Sequence, residues 1–515
     1  MEDKISANKR IAKNTLFMYF RMIFVMVASL FTSRIVLKSL GVVDYGVYGV
    51  VGGFVGLFSI FSNSMSVAIQ RFITFELGKG NIGRVKKIFS TSVTIQIIIA
   101  VTLMIAAELV GFWFIHHKMV IPVERIDSAI MVMHCSVITF GIGLISVPYN
   151  AEIIAHEKMS AFAYISIYEV LAKVAACAIL YYIDVDKLVI WAVMLAVIQL
   201  TVRVIYGRYC KLHFEECTYV PILDKTIFKE IFGFAGWSSF GLVALTCYTQ
   251  GIDMVLNVFF GPVVNAARSI AFHVQTAVQS FSTNFQVAMN PQIIASYARN
   301  ELERMHSLLF SGTRFCFYLL LFLSLPIFLE TPYILSLWLG EYPDHTVNFV
   351  RLILLVITFD SSFGGPISTA QTATGKIKIY QIVVGGLMLM ILPLSYIILK
   401  IWHTNPETVY IVYLCIVFVA HIARMIIIRP IIQLSLRKYF KEVVIPILLV
   451  TIVALPIPII VYYLLDDNSA RSFIIICSVS VASVIGSVYF WGLKKTERIL
   501  VKEKIGLFLK SAHER

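Results

Sequence analysis

The chain has 515 residues, of which 59% are hydrophobic and 14% charged, and its formal net charge is +13. A soluble protein of that length needs far more polar surface, and the apolar residues fall in runs of about 20, the length that crosses a bilayer. The positive charge lies between those runs rather than on one face, which excludes a nucleic-acid groove and records membrane topology instead.

The N-terminal stretch Met1 to Lys13 is of mixed charge and leads into a full-length apolar run without a small-residue cleavage site, so the first span is expected to be retained. Apolar runs separated by polar breaks predict about fourteen transmembrane helices. Their approximate limits are 14–38, 45–75, 88–115, 127–154, 160–183 and 188–210, then 231–260, 264–297, 307–329, 347–373, 378–401 and 408–434, and finally 443–465 and 472–493. The fold class is thus an all-α polytopic membrane protein. The expected organisation is an N-lobe of spans 1–6 over 1–212, a cytoplasmic connector over 213–230, a C-lobe of spans 7–12 over 231–436, and spans 13–14 with a basic tail over 437–515.

Alternating these spans from a cytoplasmic N-terminus places 28 Lys and Arg in inner loops and 6 in outer loops. The positive-inside rule then predicts that both termini are cytoplasmic. The 8 cysteines are scattered, mostly within apolar runs and without a Cys-x-x-Cys pair, and read as small core hydrophobes rather than a disulfide or metal framework.

The chain also repeats itself. At an offset of 220, Gly41 matches Gly261, Val43 Val263, Phe61-Ser62 Phe281-Ser282, Val67-Ala68 Val287-Ala288, Ile73 Ile293 and Arg84 Arg304. Ser59, Ser62, Ser66 and Gln70 recur at steps of three and four, on one helix face. The second copy carries Gln279, Ser282, Gln286 and Asn290 at the same positions, extended backward by Gln275 and Arg268. Pro148, Ala155 and Lys158 match Pro366, Ala373 and Lys376 at an offset of 218. Two such parallel repeats predict two six-helix lobes related by an axis along the membrane normal, with the substrate between them.

No catalytic constellation, phosphate-binding loop or nucleotide domain is present in the sequence, so a transporter is expected rather than an enzyme. A charge at the centre of a span costs about 2.5–3.5 kcal/mol on insertion scales and therefore faces a cavity or a partner. Arg21, Arg34 and Arg268 read either as an anion site, for which guanidinium geometry suits phosphate, or as structural ion pairs, with Asp253 the obvious partner. Asp253 is expected to act as a counter-ion, a coupling-ion ligand, or both. Glu169 and Lys173, four residues apart, are expected to pair, and Arg71, Arg314 and Arg424 to snorkel toward the inner surface. Arg268, Gln275, Gln279, Ser282, Gln286 and Asn290 on one face are expected to wet a passage suited to a sugar and phosphate ligand.

The fourteen spans, the Leu40-Gly41-x-x-Asp44-Tyr45-Gly46 turn after span 1 and the Pro148…Ala155…Lys158 and Pro366…Ala373-x-Gly375-Lys376 segments resemble the polysaccharide transporter family. This is the oligosaccharide (O-antigen) flippase branch of the multidrug/oligosaccharidyl-lipid/polysaccharide exporter superfamily. The resemblance implies a V-shaped, MATE-like fold with alternating access, and a polyprenyl-pyrophosphate-linked oligosaccharide as cargo. It further implies a monomer in the bacterial inner membrane, working alongside other glycan-assembly proteins. It needs no cofactor beyond H+ or Na+ as a coupling ion. Cavity arginines of that family lie on spans 1, 2 and 8; Arg21, Arg34 and Arg268 fall on spans 1 and 8, while small polar residues fill span 2. A cation-coupled multidrug antiporter of the same superfamily is the rival, and a membrane glycosyltransferase or polymerase a more distant one.

Overall fold

The structure is a computed structural model that describes residues 2–56, 59–117, 123–182, 185–465, 469–495 and 497–499. Every regular element among them is helical. In chain order these are α1 Glu2–Gly56, α2 Ser59–Lys79, α3 Ile82–His117, α4 Ile126–Ala155, α5 Met159–Tyr181, α6 Lys187–His213 and α7 Lys225–Phe260. They continue with α8 Pro262–Ala298, α9 Leu302–Leu329, α10 Thr331–Leu339, α11 Thr346–Phe359, α12 Gly365–Thr374, α13 Lys378–Leu389, α14 Ile391–Trp402 and α15 Thr408–Ile428. The last are α16 Leu436–Tyr439, α17 Ile445–Ala454, α18 Pro456–Leu464 and α19 Ala470–Ser487.

Among the described residues, 12 helical segments are long and apolar enough to cross a membrane. The second and eighth of the fourteen expected spans are not among them. These are α2 and α8, the two helices with the polar stripe, and the stripe is what lowers their apolar content. The second expected span also begins inside α1, which runs through the Gly41 turn, where φ is 79° and ψ 170°.

Backbone turns write the internal repeat more clearly than side chains do. Left-handed φ recurs at Gly41 (79°) and Gly261 (78°), at Gly80 (74°) and Asn300 (58°), and at Glu157 (56°) and Gly375 (75°). The first two pairs are 220 positions apart and the third 218, the offsets of the sequence repeat. The caps match as well. Asn81 N donates to Glu76 O (3.1 Å) and Gly80 N to Leu77 O (3.0 Å), as Glu301 N does to Ser296 O (2.9 Å) and Asn300 N to Tyr297 O (3.0 Å). These are the paired bonds that close a helix C-terminus through a left-handed residue.

The chain forms two compact units. Unit 1 comprises Met1–Val243, Val287–Leu302 and Thr372–Gln381; unit 2 comprises Ala244–Gln286, Glu303–Gln371 and Ile382–Arg515. In unit 1, α4 packs against α1, α2, α3, α5 and α6 and is the central helix. Its neighbour α3 carries a run of buried polar residues, Ser90, Thr91, Ser92 and Gln96. The connector after α6 docks there: Val220 N donates to Ser90 Oγ (3.3 Å), Asp224 N to Thr91 Oγ1 (3.5 Å), and Thr94 Oγ1 donates to Ile222 O (3.2 Å). Backbone groups of a loop must be satisfied somewhere, and the α3 hydroxyls do so here. Asp224 then caps α7, accepting from Thr226 N (2.9 Å) and Ile227 N (3.2 Å).

Asp44 of the Gly-x-x-Asp-Tyr-Gly turn has a structural partner. Its Oδ2 lies 2.7 Å from Arg125 Nη2, and Arg125 Nη1 donates to Asp186 Oδ2 (3.1 Å), which also accepts from Ser128 Oγ (2.7 Å). One guanidinium thus ties α1 to the segments before α4 and α6.

In unit 2, α17–α19 are fastened to α9. Arg314, 1% exposed, donates to Gly492 O (2.8 Å) and Glu497 Oε1 (2.7 Å), and Tyr318 Oη donates to Gly492 O (3.2 Å). Arg314 therefore does not snorkel as expected. Between α11 and α12 the helix takes a π-turn over Asp360–Gly364, a local widening that frees backbone carbonyls.

Candidate functional site

Unit 1 contains a cavity of about 340 Å³ between α1, α5 and α6. Arg21, Val25, Ser29, Thr32 and Val36 follow the helical repeat down one face of α1, and Ser166, Glu169, Val170 and Lys173 do so on α5; Tyr48 and Trp191 complete the lining. Lys173 Nζ lies 2.6 Å from Glu169 Oε1, the pair that the four-residue spacing implies. The Arg21 guanidinium carbon stands 4.7 Å from the Phe162 ring centroid, and its buried Nε has no hydrogen-bond partner. With Arg21, Lys173 and Glu169 the cavity carries two positive charges and one negative. Cation–π contact with Phe162 leaves most of the guanidinium fork available. The Arg34 side chain lies outside the described residues.

Arg268 sits in unit 2, 5% exposed. Its Nη2 donates to Thr249 O (2.5 Å) and its Nε lies 2.5 Å from Asp253 Oδ1. Arg268 and Asp253 thus form an ion pair in this structure. A second buried pair stands in the same unit: Arg424 Nη1 donates to Asp360 Oδ1 (2.7 Å), with the Tyr248 and Tyr413 hydroxyls 3.0 Å apart. Arg424 is 7% exposed, so it too is paired rather than snorkelling.

The polar stripe of α8 divides. Ser282 is fully buried, and Gln286 Nε2 donates to Ser282 Oγ (3.0 Å) and to Ser361 O (3.1 Å), a carbonyl of the π-turn. These two residues join α8 to the α11–α12 junction instead of facing an open passage. Gln275 and Gln279 are half-buried in unit 2, and Asn290 is half-buried in unit 1.

Sequence reasoning missed the knitting of helix ends in unit 1 at the end that carries the Lys- and Arg-rich loops. Arg71, 8% exposed, donates to Thr372 O (3.3 Å) and Ala373 O (3.2 Å), with Phe72 and Phe75 against its guanidinium. Arg299 Nε donates to Gly78 O (3.0 Å), and Gln292 Nε2 to Glu157 Oε2 (3.0 Å). Gly78 is required there: a Cβ would meet the Ala295 backbone at 3.0 Å. The only signal in the sequence was the matched turns that place these four helix ends at one level.

No family model matches the chain, and no curated protein matches it in sequence. Solved structures do. A MATE structure in the bent conformation superposes with a TM-score of 0.68 at 16% identity, covering 83% of this chain and 96% of that one. An outward-facing multidrug resistance MATE family transporter of the MOP superfamily gives 0.68 at 16% identity with the same coverage. A MOP superfamily transporter from Pyrococcus furiosus, described by a reverse polarity of its binding pocket, gives 0.70 at 15% identity with the same coverage. The chain has the fold of the MATE transporters. The all-α, multi-pass architecture expected from the sequence is therefore observed, and with it the MATE-like fold.

Proposed function

We propose that this protein is an exporter that works by alternating access and carries a polyprenyl-pyrophosphate-linked oligosaccharide across a bacterial inner membrane. The observation that carries the reading is Arg21, whose guanidinium has an unpartnered buried Nε in a hydroxyl-lined cavity of net positive charge. Planar N–H donors match phosphate oxygens in pairs, and Ser29, Thr32, Ser166 and Tyr48 supply hydroxyls for the sugar or bridging oxygens. Gln275 and Gln279 in unit 2 are candidate ligands of that unit, and Arg34 of α1 is a candidate by its sequence position. Arg268 contributes through its Asp253 pair, which an anionic headgroup would compete with. The layer of helix ends held by Arg71, Arg299 and Gln292 has to part when cargo enters from the side of the basic loops, which the reading places in the cytoplasm.

A cation-coupled drug antiporter shares the fold. The acid in the unit 1 cavity, Glu169, is already neutralised by Lys173, which favours an anionic cargo. That pocket polarity differs within the fold is the stated point of the Pyrococcus furiosus structure.

The test is flipping of a labelled undecaprenyl-pyrophosphate glycan in proteoliposomes. Wild type is expected to translocate it, Arg21→Ala to lose at least about tenfold in rate, the loss of about 1.4 kcal/mol of binding, and Arg21→Lys to keep part. Full activity in Arg21→Ala, or ethidium–proton exchange without glycan flipping, overturns the proposal.

A further inference from the structure

Unit 1 holds a second polar cluster, none of whose members lines the cavity. Glu152 and His156 lie four residues apart at the C-terminal end of α4, on one helix face. Glu216 comes from the turn Glu215–Cys217 that follows α6. The His156 ring is stacked on Phe214, centroids 4.1 Å apart at 11°, which fixes its orientation. His156 Nε2 then lies 2.6 Å from Glu216 Oε1 and 3.7 Å from Glu152 Oε2, and the three ligand atoms are all within 4.8 Å of one another.

Glu152 is the unusual member. It is fully buried, and neither of its carboxylate oxygens has a hydrogen-bond partner. Besides His156, the groups that act on it are the Glu216 carboxylate and the Cys210 thiol, neither of which offers positive charge. A buried carboxylate facing another carboxylate, with a single imidazole to share, is strongly disfavoured. A divalent cation resolves the deficit: two carboxylates and a neutral imidazole bring the cluster to zero net charge.

We propose that Glu152, His156 and Glu216 form a binding site for a divalent transition-metal ion of the zinc class. One imidazole nitrogen and two carboxylate oxygens are the donor set such an ion takes, at about 2.0–2.2 Å from each. The mixed donors favour zinc over calcium or magnesium, which prefer all-oxygen shells. Replacing the 2.6 Å His156–Glu216 hydrogen bond by two metal bonds of about 2.0–2.2 Å needs those atoms to part by less than about 1 Å. Stacking on Phe214 holds the imidazole plane with Nε2 toward the two carboxylates. The ion would clamp the turn after α6, and the connector that docks on α3, to the end of α4. Metal binding is thereby linked to the folding of unit 1.

The experiment uses the full-length, tag-free protein in detergent, stripped with chelator and titrated with Zn2+ alone. Wild type is expected to retain one equivalent through gel filtration and to melt at higher temperature with zinc than without. Glu152→Gln and His156→Gln are each expected to lose that equivalent and the zinc-dependent shift. Glu152→Gln removes the unpartnered charge, so its metal-free form is expected to fold and melt no lower than metal-free wild type. The proposal is overturned if wild type retains no zinc after gel filtration, or if both variants retain as much as wild type.

Discussion

Gly41 and Gly261, 220 positions apart, share a positive φ, 79° and 78°. Gly41 breaks α1 internally, and Gly261 joins α7 to α8. Among the described residues nothing lies within 4 Å of where a Cβ would be at either site, so the constraint there is backbone conformation.

Alanine at either position therefore pays only the left-handed penalty, about 1–2 kcal/mol. Gly41→Ala and Gly261→Ala are expected to lower stability by that amount each and to add in the double variant, since they lie in different units. Denaturant melts in detergent micelles provide the measurement.

The Asp360–Arg424 pair predicts a strongly non-additive cycle. Arg424→Met takes the guanidinium from a largely buried Asp360 and Asp360→Asn takes the charge from the pair, each at a cost of about 3 kcal/mol, whereas the double change removes both charges together. The two single losses should sum to more than the double loss. Gly364→Ala should mimic the singles, because a Cβ there displaces the Arg424 guanidinium.

The two glutamines of α8 should separate by mechanism. Gln286→Leu leaves Ser361 O without its donor, and a loss of roughly 1–2 kcal/mol of stability is expected. Gln279→Leu leaves no such group in want of a partner, so its effect should appear in glycan flipping while melting stays near wild type.

Outside the spans, Glu407 accepts from Asn348 Nδ2 (2.9 Å) and lies 2.7 Å from His345 Nδ1. Burial pushes its carboxyl up, but the bonds from Asn348 and His345 outweigh burial and hold it below the ordinary carboxylate range. A depressed carboxyl contributes stability that is present above its unfolded pKa and is lost as pH falls through the folded one. Protection of the amides around Thr346 and Thr408, measured against their intrinsic exchange rates at each pH, should fall on acidification below the usual glutamate range. Glu407→Gln should remove that pH dependence.

The fold was legible because its signals are local: span length, basic loops, and the twin stripes that set α2 and α8 apart from the apolar helices. The Glu169–Lys173 pair followed from helix spacing alone. Arg71, Arg314 and Arg424 were misread because each finds its partner far along the chain, at Thr372, Gly492 and Asp360. Ser282 and Gln286 shared a face with Gln279, but periodicity gives the face and not its occupant; a π-turn carbonyl took Gln286. The Glu152–His156–Glu216 cluster joins two segments that no local pattern connects.

Unit 1 incorporates Val287–Leu302 and Thr372–Gln381, and this bears on how the protein is made. The carbonyls that satisfy Arg71 are synthesised 301 and 302 residues after it. At about 5–20 residues per second, that is a delay of roughly 15–60 seconds on the ribosome. Throughout it the guanidinium must stand in or beside the bilayer without its final acceptors, as must the Glu157 carboxylate without Gln292. The nascent chain thus leaves the insertion machinery carrying open polar sites, and a product that stops short of Gln381 would keep them, a mark by which quality control could tell unfinished copies from complete ones.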